Sequence, residues 1–231
     1  DEADQSTRQL ESAWEVDAFS WPEVCAQLDE ATGNKLRDSG EELCVATEDG
    51  LKVLAVTGTA RQEGRTTLAL SLARNAARAG SRVALVDADR VNPQLAFLLG
   101  LEAPCDWHAV VREGLPITEA AVASLRDGVV LFPLDATIDM ADCECDGDSM
   151  SAALGEIARN FDLTIVDMPP ISPDEDAERT SSLRRSIDMA VVVRDVQASN
   201  EEQVMRTVAS LRSSGVGAVG IVENFVEPIS E

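Results

Sequence analysis

Apolar runs at three places in this chain end on polar residues suited to holding phosphate and a metal. Leu51-Lys-Val-Leu-Ala-Val-Thr57 leads into Gly58-Thr-Ala-Arg-Gln-Glu-Gly-Arg-Thr-Thr67. Arg82-Val-Ala-Leu-Val-Asp87 continues as Asp87-Ala-Asp89, and Leu163-Thr-Ile-Val-Asp167 as Asp167-Met-Pro-Pro170. A loop that feeds a helix N-terminus aims several backbone N–H groups at one point, and the helix dipole adds positive potential there. That arrangement suits a triphosphate, so Thr59, Ala60, Arg61, Gln62, Glu63, Gly64, Arg65, Thr66 and Thr67 are candidate nucleotide contacts. Thr66 is the candidate hydroxyl ligand for Mg²⁺, an ion that takes about six oxygens. Asp89 and Asp167 are the candidate metal-side carboxylates, and Asp87 is a base or a holder of water. The candidate catalytic set is Arg65, Asp87, Asp89 and Asp167.

These residues converge only if the strands lie side by side and parallel. The pattern supports that. The helix predicted over Thr66–Ala79 closes at Gly80, and strand, turn, helix and strand over 51–87 make a βαβ unit. Near-continuous apolar strands indicate a sheet covered on both faces. The alternation continues with helices from Pro93 to Gly100, Trp107 to Glu113, Ala152 to Asn160 and Glu201 to Ser213. Further strands are expected at Val129–Phe132, Leu163–Asp167, Met189–Val193 and Val219–Val222. The expected fold is α/β, a doubly wound and mainly parallel sheet flanked by helices, whose ligand edge is the row of strand C-termini. Residues 51–231 form the nucleotide-binding domain in this reading. Residues 1–50 form an N-terminal arm: loose to residue 20, then a helix over Pro22–Ala31 opened by a Ser20…Glu23 capping box, then a second over Lys35–Cys44.

Composition narrows the functional classes. There are 42 acidic and 19 basic residues, a net charge of −23, which repels nucleic-acid phosphates and anionic lipid. Nucleic-acid partners and direct membrane insertion are therefore not expected, and no apolar run is long enough for a spanning helix. Five scattered cysteines fit reduced thiols in the cytoplasm better than a disulfide framework. Cys143-Glu-Cys145, inside an acidic stretch from Asp135 to Asp148, reads as a loop and not as a zinc site, which needs more ligands. His108 is the sole histidine and reads as structural, as do Trp14, Trp21 and Trp107. The chain opens on Asp1, not Met, which reads as part of a longer protein.

The loop departs from the Gly-x-x-x-x-Gly-Lys-Ser/Thr rule. Thr59 occupies the first glycine position and Arg65 the lysine position. With only Lys35 and Lys52 against seventeen arginines, Arg65 is either compositional drift or the mark of slow turnover, since arginine is planar and bulkier than lysine. The loop also reads as a plain βα turn, and Asp167-Met-Pro-Pro170 as a plain strand-ending turn.

Residues 53–101 and the Asp167-Met-Pro-Pro170 segment resemble the bacterial tyrosine kinases, cytoplasmic partners of capsule and exopolysaccharide chain-length regulators within the MinD/ParA group of P-loop proteins. That family's loop reads Ser-x-x-Pro-Gly-Glu-Gly-Lys-Ser-Thr, its second motif is Asp-x-Asp after an apolar strand, and its third is Asp-x-Pro-Pro. The resemblance implies the P-loop NTPase fold, ATP or ADP with Mg²⁺ as cofactors, and Asn224 near the adenine. It also implies a membrane-anchored polysaccharide chain-length regulator as partner, self-association into homo-oligomers, and a cytoplasmic site of action. There are departures. These 231 residues contain no tyrosine, so autophosphorylation on tyrosine within them is impossible. The Glu-x-x-Arg-x-x-Arg used for ring assembly is absent, and Val91 stands where the family has an arginine after Asp-x-Asp-x, although Arg90 is adjacent. A degenerate scaffold that binds a protein, or a MinD- or ParA-like positioning ATPase, are the alternatives.

Overall fold

A computed structural model describes residues 12–102, 105–138, 147–171 and 181–226. The middle of the sequence reads directly into strands. β2 (Val53–Gly58), β3 (Val83–Asp87) and β6 (Leu163–Asp167) are buried along their whole length. Side chains alternate across a strand, and here both faces are dry. Ala55, Val86 and Val166 enter one core with Trp107, Leu154, Ile157 and Leu211. Leu54, Leu85 and Ile165 enter the other with Leu68, Leu72, Leu95 and Leu99.

The remaining strands are β1 (Trp14–Val16), β4 (Val122–Ser124), β5 (Val129–Phe132), β7 (Met189–Asp195) and β8 (Ala218–Asn224). Their spatial order is β1-β4-β5-β3-β6-β2-β7-β8, and every pairing is parallel except β4 with β5. Helices α1 (Glu23–Ala31), α2 (Lys35–Glu48), α3 (Arg65–Arg78) and α4 (Leu95–Leu98) carry buried residues of the second core. Helices α5 (Trp107–Arg112), α6 (Gly147–Asn160) and α8 (Glu201–Ser213) cover the first, and a short α7 (Ser181–Arg184) precedes β7. This is the doubly wound α/β architecture expected from the pattern.

One feature of the order positions the site. β6 lies between β2 and β3, so the three strands with polar endings are adjacent. The register sets Asp87 beside Asp167 and Val56 beside Asp167.

The structure differs from the sequence expectation mainly at the edges. Residues 14–16 are a strand rather than unpatterned arm, joined to the sheet through Ala13 N–H to Thr118 carbonyl (3.1 Å) and Trp14 N–H to Ala121 carbonyl (3.2 Å). Ser20 does not cap α1, whose N-cap is Pro22. Its N–H goes instead to the Leu99 carbonyl at 2.9 Å, and a Cβ on Gly100 would meet its side chain at 2.8 Å. Trp107 is fully buried and Trp21 donates its indole N–H to Asp127, but Trp14 is 48% exposed and anchors no core. α2 runs to Glu48 and α6 begins at Gly147, both beyond the expected limits. Cys143 and Cys145 lie outside the described residues.

Candidate functional site

β2 ends at Gly58 and α3 begins at Arg65, and the loop between them is shaped from within. Glu63 is 2% exposed. Its carboxylate accepts the N–H groups of Thr59 (2.7 Å) and Ala60 (2.9 Å), the Thr59 hydroxyl (2.7 Å) and the Ser199 hydroxyl (2.6 Å). Gly58 is required here, because a Cβ would collide with that carboxylate. Gly64, at φ 90°, is required on two counts: its left-handed backbone, and the Asn224 amide that occupies the space a Cβ would need. Gln62 also takes a left-handed conformation, φ 67°. Glu63 is thus spent on the first amides of the loop, leaving the first-turn N–H groups of α3, which no helical carbonyl can reach, at the junction of loop and helix.

Asp167 receives the Thr66 hydroxyl on Oδ2 at 2.7 Å. Its Oδ1 is buried and has no hydrogen-bond partner. Burial raises its pKa to about 6, offset in part by the Thr66 bond and by Arg65. Asp87 is raised further, to about 8, by burial and then by the charge of Asp167 beside it. It rises despite three backbone bonds: Oδ2 accepts Gln94 N–H (3.1 Å) and Leu95 N–H (3.0 Å), and Oδ1 accepts Asp89 N–H (3.2 Å). These bonds make Asp87 the organiser of the turn from β3 to α4. Trp107 supports the same strand end, donating its indole N–H to the Asp87 carbonyl at 2.7 Å.

Asp89 holds the cations. Its Oδ2 lies 3.6 Å from Arg65 Nη2 and 3.8 Å from Arg61 Nη1, while Oδ1 accepts Asn92 N–H at 3.2 Å. Arg65 is 7% exposed and also donates through Nη1 to the Met168 carbonyl. Thus Arg65, standing where the loop rule has lysine, lies folded against Asp89 and the segment after β6. At 3.6 Å the attraction of one charge pair is about 4 to 5 kcal/mol at an effective dielectric near 20. A bound polyphosphate carries several charges and would compete for both guanidinium groups.

Segment 168–171 is tied to β2 by Met168 N–H to Val56 carbonyl (2.9 Å), Ile171 N–H to Gly58 carbonyl (2.9 Å) and Thr57 hydroxyl to Pro169 carbonyl (2.7 Å). The two prolines end the strand and hold the chain across the end of its neighbour. Asn224 reaches the loop from β8, donating its amide to the Glu63 carbonyl at 3.0 Å. It lines a cavity of about 390 Å³ beside Gly64 and Thr67. His108 stands apart from the carboxylates, packed edge-on against Trp107 and touching Arg90. Burial and then Arg90 lower its pKa to about 3, so it is neutral at neutral pH.

The structure therefore brings Thr59, Glu63, Arg61, Arg65, Thr66, Asp87, Asp89 and Asp167 to one edge. Ser199, Gln203, whose amide donates to the Thr59 carbonyl at 3.2 Å, and the Met168 carbonyl belong to the site as well and were not read from the sequence. Their partners lie more than a hundred residues away, and no local spacing signals such contacts. The residues present fit a hydrated magnesium ion: a helix-start hydroxyl, and a buried carboxylate with one oxygen unpartnered.

Comparison with known proteins agrees with this geometry. The ParA family profile, described as a NUBPL iron-transfer P-loop NTPase, matches residues 52–230. A cytosolic Fe-S cluster assembly factor NUBP2 homolog of Culex quinquefasciatus is 28% identical over 171 residues, covering 70% of this chain and 64% of that protein. Septum site-determining protein MinD of Synechocystis is 25% identical over 183 residues, covering 77% and 65%. The chain thus spans a little under two-thirds of the length of these relatives. Among solved structures, the chimerical protein CapA2B2 superposes with a TM-score of 0.73 at 15% identity, covering 94% of this chain and 95% of that one. The kinase domain of Escherichia coli tyrosine kinase ETK gives 0.68 at 18%, covering 78% and 70%, and Pyrococcus furiosus cell division ATPase MinD 0.64 at 19%, covering 74% and 71%.

Proposed function

The chain belongs to the ParA family of P-loop NTPases, and from that premise we propose that it is an ATP-dependent switch of the MinD/ParA kind with slow turnover. The supporting observation is the state of Asp167, which takes the Thr66 hydroxyl on one oxygen and keeps the other buried and unpartnered. In this reading the α3 amides and Arg65 hold the phosphates, Thr66 and Asp167 hold Mg²⁺ and its waters, and Asp89 releases Arg65 as the nucleotide enters. The metal, when bound, supplies charge neutralisation for phosphoryl transfer. The protein's own part is to position, to exclude water and to keep Asp87 and the β3–α4 turn in place. Ser199 and Gln203 tie the loop to the N-terminal region of α8, so a change in the loop reaches the β7–α8 surface.

A second reading is favoured by one observation. Residues 12–50, outside the ParA match, fold onto the sheet, and CapA2B2 covers 94% of this chain, a larger share than the ParA match spans. This supports a relative of the bacterial tyrosine kinases acting in exopolysaccharide control, with a membrane-anchored chain-length regulator as partner and self-association. Among the described residues no helix is long and apolar enough to cross a membrane.

The test is nucleotide titration. Mg·ATP at about a hundred times its Kd should add about 2.7 kcal/mol of stability and raise the melting temperature by several degrees. A flat response, with no ADP binding either, would leave a scaffold without nucleotide. Arg65→Lys should raise ATP turnover if that side chain limits the rate. Phosphotransfer to a tyrosine peptide separates the kinase reading from the switch.

A further inference from the structure

We propose that helix α1 and the start of α2 form the outer wall of a nucleobase site, and that this wall sets the preference of the chain for a nucleotide over bare polyphosphate. The inference rests on the reading of the 58–67 loop as a phosphate cradle. It concerns residues outside the family match, which begins at residue 52.

The first argument is position. The carboxylates lie on one side of the α3 N-terminus, around Thr66. The 390 Å³ cavity lies on the other, sharing Gly64 and Thr67 with the loop. A ligand whose charged end is fixed at Thr66 and Asp167 therefore has this cavity as its exit. The volume falls within the range of about 300 to 1,000 Å³ found for small-molecule sites.

The second argument is chemistry. From α1 the cavity is lined by Val24, Leu28 and Ala31, and from the opposite side by Val222 and Phe225. Val24 is 45% exposed and Phe225 49%. Two apolar surfaces facing one gap, each left half-wet, are what a flat heteroaromatic ring would cover. Each wall also has a polar group. Gln27 lines the cavity from α1 with an amide that both donates and accepts, and Asn224 lines it from β8.

The third argument is strain. Phe225 has φ 58°, a left-handed backbone that a bulky side chain rarely adopts. It is held there by its own N–H, which donates to Asn224 Oδ1 at 2.9 Å. Such strain persists where the surroundings enforce it, commonly at ligand sites. The residue that fastens β8 to the loop thus also sets Phe225 at the mouth of the cavity.

The experiment compares Mg·ATP, Mg·GTP and Mg·tripolyphosphate by calorimetric titration of the whole chain. The wild type should bind ATP at least roughly tenfold more tightly than tripolyphosphate. Ala31→Trp fills the gap from an exposed position; it should weaken ATP by roughly tenfold and leave tripolyphosphate within about twofold. Val24→Asp, also exposed, should act in the same direction and covers the case in which the tryptophan disturbs folding. Gln27→Ala should change the ATP-to-GTP ratio more than either affinity for tripolyphosphate. Equal wild-type affinity for ATP and tripolyphosphate would overturn the inference and leave the phosphate cradle standing. So would wall variants of unchanged melting temperature that weaken both ligands alike or neither. Failure of the wild type to bind any of the three ligands removes the cradle, and the wall with it.

Discussion

The two flanks of the phosphate loop are built on opposite principles. On the β3–β6 side Asp87, Asp89 and Asp167 are at most 4% exposed, and nearly every oxygen is assigned to a named donor or cation. On the α1–β8 side Val24, Val222 and Phe225 stand open across a gap. The first flank stores unfavourable charge that a cation would relieve, whereas the second holds apolar surface that a ring would cover. A nucleotide is the ligand class that answers both demands at once.

The largest effect that would break this contrast is expected from Arg65→Ala. It leaves Asp89 buried with only the half-exposed Arg61 nearby, and breaking a buried pair costs about 3–5 kcal/mol. Chemical denaturation checks it; a loss near zero would mean that the carboxylate flank is not the strained one.

Asp167→Asn should come next. Loss of a metal-side carboxylate should lower Mg·ATP affinity by about 10–100-fold, as for other metal-orienting groups. The ligand-free protein should melt no lower than the wild type, since a buried charge is removed. Titration with and without Mg²⁺ reads both, and a variant that loses stability but keeps Mg²⁺ dependence would contradict the assignment.

Glu63→Ala sharpens the comparison from the middle. It strips the acceptor from two loop amides and two hydroxyls, of which only the Thr59 pair is buried; water can reach Ala60 and Ser199, so the cost is that of a buried group or two, about 1–3 kcal/mol. Nucleotide affinity and hydrogen exchange at 195–203 should change together. Glu63→Gln, which keeps an acceptor oxygen, should recover part of each; exchange unaltered at 195–203 would show that the Ser199 link carries nothing.

The smallest expected effect is on pH dependence. Asp87 and Asp167 have folded pKa values raised to about 8 and about 6. Between the unfolded value and these, the folded protein holds more protons than the unfolded chain. Stability from these groups is therefore full below pH 4 and falls as pH rises toward 8. Asp127 and Asp162 are lowered and act the other way in the acid range. Buried His108, lowered to about 3, also acts the other way up to its unfolded value near 6.5, so the net fall is set by Asp87 above that pH. The melting temperature of the ligand-free protein should drop by a few degrees between pH 5 and pH 8.5. Asp87→Asn should flatten that slope; an equal slope in the variant would locate the effect elsewhere.

The centre of the molecule was legible because its strands are near-continuous runs of Val, Leu, Ile and Ala closing on Gly58, Asp87 and Asp167, where pattern alone fixes the element and, to within a residue, its C-terminal end. β1 and β4 were not. Each has three residues, and they pair with each other across roughly a hundred positions, while β4 meets only two residues of its near neighbour β5. Ser20 misled for the same reason: the local spacing fits a cap, but the Leu99 carbonyl and the close approach of Gly100 claim it. At the site, the loop and the Asp motifs announce themselves by type and place. The role of Glu63 does not, since its partnership with Ser199 spans 136 positions, and the apolar wall of α1 reads as ordinary helix.

Glu63 has one more consequence. Because an internal carboxylate already keeps the cradle in shape, the cost of ordering that turn is met during folding and not on capture. An arriving anion meets a finished receptor, so its capture rate should be governed by approach. Around a chain of net charge −23 the approach is uphill for an anion. Added salt, which weakens most ionic encounters, should here make the encounter faster.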